Sequence, residues 1–77
     1  MTIGFAHDAP PRARSEVRTP RPGPNHVWVG GYWERQNEQW AWSAGRWEEP
    51  GERGRWIKPR YHHEKQGYRY EPGRWER

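Results

Sequence analysis

Seventy-seven residues make one domain at most. The chain has no leucine and no cysteine, and its only branched aliphatic residues are Ile3, Val17, Val27, Val29 and Ile57, which excludes a conventional aliphatic core and a disulfide framework. The formal charge of +4 divides into +2 over residues 1–24 and +2 over residues 25–77, with both signs interspersed, which argues against a cationic block for nucleic acid or anionic lipid.

Residues 2–6, Thr-Ile-Gly-Phe-Ala, are too short for a signal peptide and read as a loose start. The alternative is the remnant of one, because Gly4 and Ala6 suit the positions before a cleavage site. Residues 1–25 as a whole form a Pro- and Arg-rich arm. Pro20, Pro22 and Pro24 alternate, which forbids helix and blocks ladder hydrogen bonds. The arm therefore reads as an extended, polyproline-like tether, with one short strand available at Glu16–Arg18. Arg12, Arg14, Arg18 and Arg21 read as solvated linker residues, with contact to an acidic partner as the alternative.

Residues 26–77 form a Trp-rich repeat domain. Trp40, Trp42, Ala44-Gly45 and Trp47 make the unit Trp-x-Trp-x-x-Gly-x-Trp. A copy stands fourteen residues upstream, from Trp28 to Trp33. A degenerate copy runs from Trp56 to Tyr61, and a tyrosine version from Tyr68 to Trp75. Aromatics at alternate positions mark strands, and Gly and Pro interrupt every helical window. Seven Trp and four Tyr must supply most of the burial, at roughly 150–250 Å² each.

Consecutive units pair as antiparallel hairpins if turns fall at Asn37–Glu38, Gly51–Glu52 and Lys65–Gln66, each in a polar stretch suited to turning. The fold class that follows is all-β: a four-stranded antiparallel meander of two consecutive hairpins, preceded by the arm. Three rows cross it. One holds Trp28, Trp47, Trp56 and Trp75. The second holds Trp33, Trp42, Tyr61 and Tyr70. The third holds Arg35, Trp40, His63 and Tyr68, with Arg35 placed for a cation–π contact on Trp40. Cross-strand aromatic pairs contribute about 0.2–1 kcal/mol each.

The first two rows are five residues apart, an odd number that puts them on opposite faces of a regular strand. Gly30, Gly31, Gly45, Pro59 and Gly73 recur between them at one level. A bulge or bend there, with an extra residue, brings the rows onto one face and admits Pro59. The unbulged alternative has aromatic patches on both faces.

The hexads Trp28–Trp33 and Trp42–Trp47 both satisfy Trp-x-x-Gly-x-Trp, and Tyr68–Trp75 fits Tyr-x-Tyr-x-x-Gly-x-Trp. The chain resembles the WXXGXW (YXWGXW) repeat family of small bacterial proteins over roughly residues 20–77. The Pro-rich lead-in ending in Arg21-Pro-Gly23 matches it too. The resemblance implies a periplasmic or secreted, cell-envelope location. Members typically carry a signal peptide or lipoprotein signal, and some resemble the small lipoprotein encoded with contact-dependent growth-inhibition systems. It implies no established activity or catalytic residues. The Pro59/Tyr61 unit departs from the pattern, and this chain shows no intact signal sequence.

The chemistry-bearing residues are few. Ser15, Ser43 and the single aspartate, Asp8, assemble no nucleophile–base–orienter set. Glu34, Glu48, Glu49, Glu71 and Glu76 flank the aromatics as a solvated strand edge would. His62 and His63 are adjacent in a strand and point to opposite faces, so no metal site is expected, and no cofactor. Arg46, Arg55, Arg60, Arg69 and Arg74 interleave with aromatics as on a single-strand stacking platform, but the charge balance disfavours nucleic acid. A single sheet leaves one face bare. The expected role is a non-enzymatic structural or protein-interaction module, as a homodimer or on an envelope partner. Glycan binding through exposed Trp and Tyr is the alternative. The binding candidates are Trp28, Arg35, Trp40, His63, Tyr68 and Trp75.

Overall fold

The computed structural model describes residues 4–77. Its elements are strands β1 (Gly4–Ala6), β2 (Val27–Val29), β3 (Tyr32–Gln36), β4 (Gln39–Ser43), β5 (Arg46–Glu48), β6 (Arg55–Ile57), β7 (Arg60–Glu64), β8 (Gly67–Glu71) and β9 (Arg74–Glu76), with one 3₁₀ turn at Gly51–Arg53. The architecture is all-β and antiparallel, built from hairpins.

Two long hairpins carry it. In hairpin 1, β2–β3 runs out and β4–β5 returns, reversing at Asn37–Glu38. In hairpin 2, β6–β7 runs out and β8–β9 returns, reversing at Lys65–Gln66. Each strand of hairpin 2 lies 28 residues after its counterpart in hairpin 1. The structural repeat is therefore the hairpin, and the fourteen-residue spacing is its half. Both turns fall where the sequence places them. Asn37 and Glu38 have φ of 47° and 66°, the pair of positive values that a two-residue type I′ turn demands.

The six outer cross-strand pairs of the three rows all form. Trp28 meets Trp47 at 5.3 Å, Trp33 meets Trp42 at 5.2 Å, Trp56 meets Trp75 at 5.4 Å and Tyr61 meets Tyr70 at 5.7 Å between ring centroids. His63 stacks on Tyr68 at 4.5 Å, and the Arg35 guanidinium lies 5.0 Å from the Trp40 ring.

The central pairing of the meander does not form. No strand of hairpin 1 ladders with a strand of hairpin 2, so Trp47 does not oppose Trp56 and Trp42 does not oppose Tyr61. The turn at Gly51–Arg53 explains the difference. Gly51 and Gly54 take φ of 57° and 94°, and Arg53 bonds back to the Pro50 and Glu49 carbonyls, which redirects the chain. The hairpins instead pack through side chains. Trp40 touches Tyr61 and Tyr70 at 5.8 and 6.1 Å, Tyr32 meets Trp56 at 6.0 Å, and the Tyr61 hydroxyl donates to the Trp33 carbonyl. This arrangement covers apolar surface that a single open sheet would leave wet.

The bend falls at the expected level in every strand, at residues 30–31, 44–45, 58–59 and 72–73. It is not a bulge. Val29 faces Arg46 and Tyr32 faces Ser43 with two residues skipped on each strand, so no extra residue is inserted. Hairpin 2 repeats this between Ile57–Arg74 and Arg60–Glu71.

Gly4–Ala6, read from sequence as a loose start, is a strand. It adds to the free edge of β8, pairing Gly4 with Tyr70 and Ala6 with Tyr68. Ala6, Val29 and Tyr70 are the buried hydrophobic residues among those described. The short strand available at Glu16–Arg18 does not form; that segment lies outside any ladder.

Two outcomes follow from the turn and from the burial of Tyr70 and, in part, Tyr61. Glu38 holds a left-handed backbone that costs a side-chain-bearing residue about 1 kcal/mol, so Glu38→Gly should raise unfolding stability by about 0.5–1 kcal/mol in urea. Burial holds the Tyr70 phenol well above the ordinary tyrosine range, and raises Tyr61 as well. A pKa higher in the folded state contributes stability present below the unfolded value of about 10 and lost as pH rises through the folded one. Stability should therefore fall above pH ~10, and Tyr70→Phe should flatten that fall in pH-dependent denaturation curves.

Candidate functional site

The bend brings both indole pairs of hairpin 1 under one segment of chain, the arm. Extended residues two apart project to the same side, and Arg14, Glu16 and Arg18 do so here. The Arg14 guanidinium sits 5.0 Å from the Trp33 ring and 5.6 Å from Trp42. Arg18 sits 5.6 Å from Trp28 and 5.9 Å from Trp47. Between them, the Glu16 carboxylate accepts two backbone N–H groups, Gly31 at 3.0 Å and Gly45 at 2.8 Å. These are the two glycines of the two hexads. The arm that sequence alone assigns to solvent is thus laid along hairpin 1.

The indole N–H groups fix the arm's backbone. Trp33 donates to the Arg12 carbonyl at 3.2 Å, Trp47 to the Thr19 carbonyl and hydroxyl at 3.2 and 2.9 Å, and Trp40 to the Asp8 carbonyl at 3.3 Å. A half-buried Trp whose N–H has a partner satisfies the polar demand of its ring.

The motif glycine is required for room. Gly31 and Gly45 do not have positive φ. A Cβ at Gly31 would lie 2.3 Å from Trp42 Cζ2 and 2.6 Å from Glu16 Oε1; at Gly45 it would lie 2.4 Å from Trp28 Cζ2 and 2.7 Å from the same oxygen. Each glycine carries the rim of an indole from the opposite strand on one side and donates to the carboxylate. At Gly73 the Cβ would lie 2.4 Å from Trp56 Cζ2, the same contact in hairpin 2. The counterpart of Gly31 there is Pro59, with Tyr70 at the position of Trp42. A phenol ring does not extend as far sideways as an indole, so loss of the tryptophan removes the demand for glycine.

The binding candidates do not gather into one site. Trp28 is half-buried beneath Arg18. Arg35 covers Trp40, which is wedged against Tyr61 and Tyr70. His63 and Tyr68 stack near the tip of hairpin 2. Trp75 lies under the Arg53 guanidinium at 4.7 Å. Sequence reasoning missed Arg14, Glu16 and Arg18. Their alternation, Arg-x-Glu-x-Arg, was the available signal.

A cleft of about 370 Å³ opens where the arm and the two bends meet. Tyr32, Trp33, Trp56, Pro59 and Tyr61 line it, with Lys58 at its wall. Two histidine–carboxylate pairs occur elsewhere, His62 Nε2 with Glu71 Oε1 at 2.8 Å and His26 Nε2 with Glu49 Oε1 at 3.3 Å. The hydrogen bond from His62 holds the Glu71 carboxyl below its ordinary range.

Gly31→Ala should destabilise the chain by about 1–3 kcal/mol, because backbone and indole must both shift. The adjacent Gly30→Ala should change stability by less than about 0.5 kcal/mol, since its Cβ would meet nothing closer than Trp28 Nε1 at 3.7 Å. Paired urea denaturation curves make the comparison.

No curated protein and no solved structure matched the chain. The model of the WXXGXW repeat family matches it in two copies, over residues 23–48 and 60–77, more than half its length. These matches span all of hairpin 1 and the β7–β9 part of hairpin 2, so the chain belongs to the WXXGXW repeat family.

Proposed function

We propose that this protein is a non-enzymatic structural and protein-interaction module of the bacterial cell envelope, working by self-association or by docking on an envelope partner. The observation that carries the reading is the grip of hairpin 1 on an extended peptide. Two indole N–H groups, two glycine N–H groups and two indole pairs act on residues 12–19, and a third indole N–H holds the Asp8 carbonyl. That is how a surface recognises backbone and side chains together. The envelope location rests on the family's usual placement.

A second reading, glycan binding, is favoured by the cleft alone. Aromatic rings with a few polar groups at the edge suit a sugar ring, and Tyr32, Trp56 and Tyr61 stand there beside Lys58. The indoles of hairpin 1 suit it less, because arginines already occupy their faces.

Sedimentation equilibrium of the full chain, alone and with candidate envelope proteins, separates the readings. The interaction reading expects a dimer or a defined complex. A chain that stays monomeric in every mixture, while peptidoglycan fragments saturably quench its tryptophan fluorescence, would overturn it in favour of glycan binding.

A further inference from the structure

We infer that the tryptophan face of hairpin 1 is a recognition site for an extended segment of a partner protein carrying the pattern Arg-x-Glu-x-Arg, and that residues 12–19 are its resident ligand, held in cis and displaced when the partner binds. The inference rests on the protein-interaction reading and names the chemistry of the partner.

Each element of the pattern has its own receptor. The two glycine N–H groups converge on one carboxylate, one to each oxygen. A glutamine in that place would accept one N–H and set its own N–H₂ against the other. The indole pairs on either side accept guanidinium groups. Arginine, planar and weakly hydrated, suits an aromatic face better than lysine. Spacing is fixed as well. Residues two apart in an extended chain are separated by roughly 6.5–7 Å, and the receptor elements follow in that order along the hairpin. The donors of Trp33 and Trp47 meet backbone carbonyls at the two ends, Arg12 and Thr19, which sets the direction of the segment.

The resident segment is built to leave. Residues 11–22 are all exposed, and the arm shares no ladder with hairpin 1. Its contacts are side-chain contacts open to water, so local opening is cheap compared with unfolding of the hairpin. The short link through Pro20, Pro22 and Pro24 to the turn at Gly23–His26 keeps the segment at high effective concentration. A partner must therefore outcompete it, and the arm acts as a gate. Hairpin 2 cannot host the same ligand. Pro59 has no N–H to give, and Arg53 already occupies Trp75. The chain thus has one such site.

The test uses the full chain with Arg14→Ala, Glu16→Ala and Arg18→Ala, titrated with a synthetic peptide of residues 11–20 and read by tryptophan fluorescence. Saturable one-to-one binding is expected. It should weaken at least about tenfold for the Glu16→Gln peptide, the loss of one charged hydrogen bond, and at least about tenfold for the wild-type chain, whose site is filled. Absence of saturable binding, or equal binding of the Glu and Gln peptides, overturns the inference. If the triple variant does not fold, the Glu16→Gln chain replaces it. Excess peptide should then return the Gly31 and Gly45 amide resonances to their wild-type positions, and unmoved resonances overturn the inference. Isotope-filtered contacts showing the arm exchanged between wild-type copies would make the occupant a second copy and overturn the foreign partner. A chain that dimerises through another surface while ignoring the peptide would sink this inference and leave the interaction module standing.

Discussion

The close approach of an indole rim to a glycine on the opposite strand is the constraint on which the rest of hairpin 1 depends. Trp42 lies over Gly31 and Trp28 over Gly45, at distances that leave no room for a methyl group. The reciprocal contact explains why the motif sets tryptophan and glycine at fixed separation, and why it must occur twice. One hexad supplies the indole that the other hexad's glycine receives. A single copy has neither partner.

From that contact the larger features follow. The two skipped residues on each strand turn the odd spacing of the aromatic rows into one shared face without an inserted residue. The same skipped residues free the N–H groups of Gly31 and Gly45 from the ladder and aim them at Glu16. With the carboxylate fixed, the arginines two residues to either side fall over the indole pairs. Cation–π contacts at exposed sites are worth only about 0.5–1 kcal/mol each, so order along the arm comes from their number and spacing. Hairpin 2 keeps the geometry on one strand, at Gly73, and abandons it on the other. There Tyr70 is buried against Trp40, Pro59 stands in place of glycine, and the face meets hairpin 1 while β1 pairs along the β8 edge. The repeat thus produces one hairpin that holds a peptide and one that holds its neighbour.

Much of this architecture was legible from local chemistry. Turn residues at Asn37 and Lys65, period-two aromatics and the Gly/Pro level fix hairpins, register and bend, because each is decided within a few residues. Three features were not. The Gly51–Gly54 stretch reads as a tight reversal, and the redirecting turn it forms instead goes with the packing of Trp40 against Tyr61 and Tyr70. Gly4–Ala6 is too short to declare itself without the open edge of β8. The arm's arginines and glutamate read as linker because composition carries no information about what an extended segment lies against; only their alternation matched the later geometry. The residues laid along hairpin 1 are therefore ones that sequence reasoning assigned to solvent, and of its binding candidates only Trp28 is among the four indoles beneath their arginines.

The account is tested most directly by proton–proton contacts in solution. It predicts strong nuclear Overhauser effects from Trp42 Hζ2 to Gly31 Hα and from Trp28 Hζ2 to Gly45 Hα, with a third from Trp56 Hζ2 to Gly73 Hα. Folded protein in which these indole protons show no contact with the motif glycines would contradict it.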